Sequence, residues 1–230
     1  ETLVRFSLGQ QPGGGEFIAP TEATTDNNGE VTVNLSSGTK AGVVQVIAET
    51  TTEDGRVIHS KPVSVTIHGG HPDQNHFTLG PSQFNFPGLT ASGLQNSISV
   101  IVGDKYGNPV RPGTAVYFTT THGVIQGSTG TSATGQGSVT LLSANPLPPD
   151  GLAIVEAETA DDQNQRVSSR TPVVFSGFPV IEISPSTAML NQTYTLRVTD
   201  QNGNPLAPGN TIAVKVEGTK VKATGTTSLT

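Results

Sequence analysis

The 230-residue sequence has no cysteine and no tryptophan, and aromatic residues make up only 5% of it. Without cysteine the chain forms no disulfide, offers no thiolate ligand to a metal and has no cysteine nucleophile. No apolar run approaches the ~18 residues that a membrane helix requires. We therefore expect ordinary hydrophobic cores to stabilise the protein.

The sequence also lacks a cluster of positive charge. Its 12 basic and 18 acidic residues are spread along the chain and give a net charge of −6. Because nucleic acid is bound by basic patches, we expect no nucleic-acid partner. The opening residues ETLVRF lack the charged and apolar regions of a signal peptide, which favours an origin inside a longer, processed precursor.

Turn-forming residues and alternating apolar residues are abundant instead. The chain contains 27 glycines and 16 prolines, a composition that suits short strands joined by many turns. In NSISVIVGD the residues Ile98, Val100 and Val102 fall on one face, and Val116 and Phe118 do so in TAVYFTT. The pattern predicts an all-β protein.

Two loops nearly repeat each other, DKYGNPVRPGT at 104–114 and DQNGNPLAPGN at 200–210. Around them, residues 1–70 resemble the second half of residues 71–178, and residues 179–230 resemble the first half. The repeat predicts one complete domain at 71–178, the C-terminal part of a domain at 1–70 and the N-terminal part of a third at 179–230. Short linkers with Gly and Pro predict an extended row of domains.

This order of motifs resembles the bacterial Ig-like repeats of the invasin and intimin group. The resemblance rests on a strand, then D-x-x-G-N-P-[VL]-x-x-G, then T-x-V-x-F, followed by G-x-V-T-L, DGLAIVEAET and PVVF, and it extends over the whole chain. It implies tandem immunoglobulin-like β-sandwiches in an extracellular protein of the bacterial cell surface. Such domains commonly serve as spacers that carry a binding module away from the cell.

The repeated loops admit a structural and a metal-binding interpretation. Asp and Asn bind their own turn amides and Gly supplies positive φ, so Asp104 and Asp200 are typical of a hairpin loop between strands. The rival is a calcium ion at a domain junction, which needs six to eight oxygens. Further oxygen ligands for such an ion would come from neighbouring loops, at Asp73, Asp161, Asp162 and Asn164.

Three histidines lie near the first junction, in IHGGHPDQNH: His68, His71 and His76. Three imidazoles suffice for a weak zinc site. Their spacing fits no standard zinc motif, and exposed junction polarity is the competing interpretation.

A ligand-binding role points to the loop residues Tyr106, Asp104 and Asn108, as part of a module for carbohydrate or a host receptor. We expect Tyr194 to belong to the core and Phe84 and Phe86 to cover the bottom of the sandwich. We expect no enzyme, since no nucleophile, base and orienting group can be assembled. Glu16, Glu22 and Asp26 are the carboxyl groups considered for a paired acid and base, and we expect them to be solvated in a loop.

The incomplete terminal domains allow two interpretations. The chain is an excerpt of a longer tandem array, or the end of one copy docks on the start of the next and completes a domain. Together these observations predict a structural stalk, spacer or filament segment, with neighbouring Ig-like domains of the same or an identical chain as partners.

Overall fold

The computed structural model describes residues 1–187, 192–218 and 221–228, with the backbone alone for 216–218, 221–223 and 227–228. We call residues 1–70 the N-terminal segment, 71–178 the central segment and 179–230 the C-terminal segment. Every strand pair of the described residues joins two strands of the same segment. Within the described residues no helix is long and apolar enough to span a membrane.

The strands of the N-terminal segment form two sheets of unequal size. The strands are β1 (Leu3–Leu8), β2 (Phe17–Ala19), β3 (Glu22–Thr24), β4 (Asn34–Ser36), β5 (Gly42–Thr51), β6 (Val57–His59) and β7 (Val63–Ile67). The larger sheet has the order β3-β1-β5-β6, with β7 also pairing with β5, and the smaller contains β2 and β4.

The central segment forms a sandwich of two sheets. Its strands are β8 (Phe77–Pro81), β9 (Asn85–Phe86), β10 (Gln95–Val102), β11 (Ala115–Thr120), β12 (Val124–Ile125), β13 (Ser128–Gly130), β14 (Gln136–Leu142), β15 (Leu152–Ala160) and β16 (Arg166–Phe175). One sheet has the order β12-β14-β10-β8 and the other β13-β11-β15-β16-β9. A short 3-10 turn, Gln74–His76, precedes β8.

The core of the central segment lies between its two sheets. Strand β10 alternates strictly between exposed and buried residues, as the sequence pattern predicts. Ile98, Val100, Val116 and Val173 are fully buried, and the Phe86 and Phe175 rings meet edge to face at 4.6 Å. Apolar burial of this extent is the main source of stability for the sandwich.

The C-terminal segment has two strand pairs. Strands β17 (Pro179–Ser184) and β18 (Thr195–Asp200) pair with each other, and β19 (Thr211–Gly218) pairs with β20 (Val221–Ser228). The prediction that Tyr194 belongs to a core is wrong, because 39% of this residue is exposed. Its counterpart Ile98 is fully buried under a facing sheet, and no such sheet covers the described part of β17 and β18.

The N-terminal segment is also less buried than its counterpart. Val4 and Phe6 face inward but are only half-buried, whereas the matching residues Val116 and Phe118 are 0% and 3% exposed. Of the two phenylalanines predicted to cover the sandwich, Phe86 is buried but Phe84 is 63% exposed, so that prediction is wrong for Phe84.

Candidate functional site: the repeated loops at the segment junctions

The two repeated loops have the same local geometry. The Asp104 Oδ1 atom accepts hydrogen bonds from the Tyr106 and Asn108 main-chain N–H groups, both at 2.9 Å. In the second loop the Asp200 Oδ1 atom accepts from Asn202 at 2.9 Å and Asn204 at 2.8 Å. This is the turn that the sequence predicts from Asp and Gly.

The glycine of each turn adopts a left-handed conformation. Gly107 has φ = 79° and Gly203 has φ = 82°, values that a residue with a Cβ adopts only with strain. The Gly107 N–H donates to the Asp104 carbonyl at 2.9 Å, and the Gly203 N–H donates to the Asp200 carbonyl at 3.0 Å. The glycine therefore closes the turn and fixes the direction of the aspartate.

The second oxygen of Asp104 binds the linker at the boundary of the N-terminal and central segments, which comprises residues 68–72 between β7 and the 3-10 turn. The Gly70 N–H donates to Asp104 Oδ2 at 2.8 Å. The Asn108 side chain reaches further, since its Nδ2 donates to the Thr39 carbonyl at 2.8 Å and its Oδ1 accepts from the Ala41 N–H at 3.1 Å. The loop thus holds both the linker and the preceding segment.

Close packing of the linker reinforces these bonds. A Cβ atom on Gly69 would lie 2.0 Å from the Pro109 carbonyl oxygen, so only glycine permits this approach. The Asp73 N–H donates to the Gly103 carbonyl at 3.0 Å, and the Gly103 N–H donates to the His76 carbonyl at 2.8 Å. The chain that directly follows the linker is therefore bonded to Gly103, the residue before the Asp104 turn.

The second loop makes the same kind of contact with the central segment. The Gly177 N–H donates to Asp200 Oδ2 at 3.0 Å, and Asn204 Nδ2 donates to the Asp150 carbonyl at 2.8 Å. Two further bonds cross this junction: Asn85 Nδ2 donates to the Pro205 carbonyl at 2.8 Å, and the Ala207 N–H donates to Ser176 Oγ at 3.0 Å. We call the Asp–Asn loop with its linker contacts a clasp, clasp 1 at residues 104–108 and clasp 2 at 200–204.

Both clasp aspartates are buried, with Asp104 3% and Asp200 1% exposed. Burial by itself raises the pKa of Asp104, but hydrogen bonds from Gly70, from the Asn108 side chain and from the main chain outweigh it and hold the pKa below its ordinary value. The carboxylate of clasp 1 is therefore charged at neutral pH.

Two other aspartates make the same turn without any linker contact. Asp26 Oδ1 accepts from the Asn28 and Glu30 N–H groups, and Asp161 Oδ1 accepts from those of Gln163 and Gln165. These turns belong to hairpins within one segment. The position four residues after the aspartate distinguishes them, since it is Asn in both clasps and Glu or Gln in the free turns.

The structure does not assemble the predicted metal sites. Among the described residues, no group of three histidine, aspartate or glutamate side chains could hold a metal ion. The zinc prediction at His68, His71 and His76 and the calcium prediction at Asp104 and Asp200 therefore lack a ligand set. The His76 Nδ1 atom lies 3.0 Å from Asp73 Oδ2, and the clasp carboxylates are occupied by amide donors.

Of the three residues predicted to bind a ligand, Tyr106 is exposed, Asn108 is half-buried and Asp104 is buried. The exposed fraction of Tyr106 is 56%, and the Lys105 Nζ lies 4.9 Å from its ring centroid. Tyr106 borders an open groove of about 420 Å³ formed by the linker, the clasp loop and the turn between β15 and β16. The polar atoms of Asp104 and Asn108 instead hold the junction.

The three candidate catalytic carboxyl groups each bond to a different partner and do not form a pair. Glu16 is only 8% exposed and accepts from the Gly13 and Gly14 N–H groups at 2.7 and 2.8 Å, so the expectation that it is solvated is wrong. Glu22 pairs with Arg5 at 2.9 Å, and Asp26 binds its own turn.

Comparison with known proteins gives structural matches. No family model matches the sequence, and no curated protein matches it. The structure of FdeC, an Escherichia coli adhesin, matches with a TM-score of 0.54 and 18% identity over 91% of this chain and 67% of that chain.

Two other structures match with lower TM-scores. The D0–D1 domain of intimin has 24% identity over 75% of this chain and 81% of its own, at a TM-score of 0.34. Invasin, a bacterial integrin-binding protein, has 22% identity over 98% of this chain and 46% of its own, at 0.40. The match to the Escherichia coli adhesin confirms the predicted fold: the chain consists of tandem Ig-like β-sandwiches, the fold of the invasin and intimin group.

Proposed function

We propose that this chain is a non-catalytic structural segment, a stalk, spacer or filament element, of an extracellular bacterial surface protein. The observation that carries the proposal is the pair of clasps. The proposed location is supported by the shared fold with an Escherichia coli adhesin. The proposal includes head-to-tail association of copies through the two incomplete terminal segments.

A spacer needs a fixed angle between neighbouring domains. Ordinary inter-domain contacts in one chain are small and permit relative motion. Each clasp instead uses one buried carboxylate oxygen for its own turn and the other for the linker, so linker and loop are held by one rigid group. Because hydrogen bonds to a charged acceptor are stronger than neutral ones, this arrangement suits a junction that resists bending.

Paired spin labels test the fixed angle directly, since the chain has no cysteine of its own. The variant Glu53→Cys with Gln163→Cys places labels on exposed turns of the N-terminal and central segments. We expect one narrow distribution of label distances. A broad distribution, compared with a pair placed within the central segment, would refute a fixed angle and with it the spacer role.

The alternative is a module that binds carbohydrate or a host receptor. The exposed Tyr106 beside the open groove favours it, because exposed aromatic rings form the platforms on which sugars stack. A glycan and receptor screen with Tyr106→Ala tests this role. Tyr117→Ala is the matched control, since Tyr117 is 55% exposed on the face of a sheet. Saturable binding that Tyr106→Ala abolishes and Tyr117→Ala retains would replace the spacer proposal.

A further inference from the structure

A parallel strand pair joins the beginning of the central segment to its end. Strand β9 lies beside β16 and runs in the same direction, with Asn85 opposite Val174 and Phe86 opposite Phe175. Each of the other strand pairs formed by the described residues is antiparallel. The exceptional direction of this pair matters for a protein under tension.

The direction of a strand pair determines how tension acts on it. The chain enters the central segment ahead of β8 and β9 and leaves it after β16. Tension along the row of segments therefore pulls β9 towards its N-terminal end and β16 towards its C-terminal end. In a parallel pair these pulls are opposed along the strand axes, so the strands are sheared. In an antiparallel pair both pulls would act at the same end and would open the hydrogen bonds one after another.

Main-chain hydrogen bonds connect the entering and the leaving chain along this boundary. The Val174 N–H donates to the Phe84 carbonyl at 2.8 Å, and the Ser176 N–H donates to the Phe86 carbonyl at 2.9 Å. The Leu89 N–H donates to the Ser176 carbonyl at 3.1 Å. Shear loads these bonds together, because all of them connect the same two stretches of chain.

The side chain of Gln74 adds two hydrogen bonds at the other end of the boundary. Its Nε2 donates to the Ser168 carbonyl at 2.8 Å, and its Oε1 accepts from the Ser168 N–H at 3.0 Å. Gln74 lies in the 3-10 turn before β8, so its amide bonds to β16 where β9 does not reach. The bonded boundary therefore extends from Ser168 to Ser176, along most of β16.

Two aromatic rings hold the register of the parallel pair. Phe86 and Phe175 are opposite each other and are 1% and 0% exposed. A Cβ atom on Gly88 would lie 2.5 Å from the Phe175 ring, so the main chain after β9 also packs closely on this ring. A slip of one residue, about 3.3 Å, would break these contacts, and a close-packed interior resists such a displacement.

We infer that the central segment contains a shear clamp, formed by the bonds of residues 74–89 with residues 168–176, that resists tension applied through its two junctions. The inference rests on the proposed function, because a stalk or spacer transmits tension along the row of segments.

Clasp 2 lies directly beside one end of the shear clamp. Ser176 donates its N–H to the Phe86 carbonyl within the clamp, and its Oγ accepts from the Ala207 N–H of the C-terminal segment. Asn85, on the other strand of the clamp, donates to the Pro205 carbonyl. The C-terminal segment is therefore bonded to both strands of the clamp.

Single-molecule pulling of the full chain in two directions tests the shear clamp. Handles attach only at introduced cysteines, since the chain has none of its own. The variant His71→Cys with Phe178→Cys is pulled along the axis, because these exposed residues lie on either side of the central segment. The variant His71→Cys with Asp162→Cys is pulled transversely, because both residues border the same groove at one end of the sandwich. At equal loading rate we expect a several-fold higher unfolding force along the axis, where the clamp bonds must break together.

Substitution of Gln74 provides the second measurement. Gln74→Ala should lower the ratio of axial to transverse unfolding force, because it removes the two clamp bonds to Ser168. Gln126→Ala is the matched control and should retain the ratio, since the exposed Gln126 donates to the Ser128 carbonyl at 3.1 Å outside the clamp. A loss of general stability would lower both forces and leave their ratio unchanged.

Equal unfolding forces in the two directions, or equal ratios for the two glutamine variants, would overturn the shear clamp. These outcomes are separate from the spin-label test of the spacer role. A narrow distribution of label distances with equal forces overturns the clamp and leaves the spacer role standing. A broad distribution with a high axial force refutes the fixed angle and leaves the clamp standing.

Discussion

Replacing Asp104 with asparagine separates the two contacts of its carboxylate. Asparagine retains one carbonyl oxygen, which suffices for the turn bonds from Tyr106 and Asn108. Its amide nitrogen then faces the Gly70 N–H, so a donor meets a donor where Oδ2 accepted at 2.8 Å. Flipping the side-chain amide of the asparagine would instead set its nitrogen against the N–H groups of Tyr106 and Asn108 in the turn. The substitution therefore breaks the linker contact while the shape of the side chain stays the same.

The size of the effect follows from the burial of this group. Asp104 is 3% exposed, so water does not readily replace the lost acceptor. Leaving a buried donor unsatisfied costs about 1–3 kcal/mol. A value of about 2 kcal/mol shifts the ratio of closed to open junction by roughly 30-fold.

Hydrogen exchange at the Gly70 amide measures the opening of clasp 1. We expect Asp104→Asn to accelerate this exchange by roughly 30-fold, in line with the free energy above, and to broaden the label distances between the N-terminal and central segments. Asp161→Asn is the matched control, because Asp161 makes the same turn with one oxygen and has no linker partner. Equal effects of the two substitutions, or unchanged exchange at Gly70, would refute the assignment of Asp104 as the holder of the linker.

Three further outcomes follow from the same geometry. The pKa of Asp104 lies below its ordinary value of 3.8, so its stabilising contribution is present above that pH and is lost as the pH falls through the lower folded value; the protection factors of the junction amides, which correct for the intrinsic pH dependence of exchange, should be constant from pH 7 downward and fall only in acid. Gly135→Ala should lower the free energy of unfolding by about 3 kcal/mol, because φ is 72° and the new Cβ would lie 2.4 Å from a main-chain oxygen of β10. Gly29→Ala, at the matching turn with open space around it, should cost only about 1 kcal/mol in urea unfolding. Phe118→Ala should lower the free energy of unfolding by about 3–5 kcal/mol. Phe6→Ala should lower it by roughly half as much, since Phe6 is only half-buried. Equal losses in the two variants would show that Phe6 is as well covered in solution as Phe118.

The strands were predictable because their residues alternate. Ile98, Val100 and Val102 recur at every second position, and a period of two indicates a strand with one buried face. The residues between them lie on the exposed face. The turns were predictable for a similar reason, because an aspartate followed by glycine specifies its own local hydrogen bonds. Both patterns depend on residues that are close in sequence.

The clasps were not predictable to the same degree. The sequence placed Asp104 and Asp200 in hairpin loops, but Asp26 and Asp161 make the same loops without binding a linker. The distinguishing feature is the Asn that follows the glycine in each clasp, and its partners Thr39 and Asp150 lie 69 and 54 residues away. Contacts over such separations leave no local pattern.

Burial in the two terminal segments was also misjudged from the sequence. The pattern of TYTLRVTD marks which face of β18 is apolar, and it predicted a core position for Tyr194. Whether that face is covered depends on a second sheet, and in the described residues of this segment Ile181 and Ile183 stay more than half exposed. Periodicity identifies a face, whereas burial requires a partner for it.

The sequence by itself thus determined the all-β class, the strand faces, the turns and the repeat, because each of these is set by neighbouring residues and by the preference of side chains for water or for each other. Only the tertiary structure decided that the repeated aspartates hold the linkers, that their carboxylates are buried and fully bonded, and that the proposed metal ligands do not converge. These properties arise where one segment meets the next, and the hydrogen bonds formed there join residues that only the folded chain brings together.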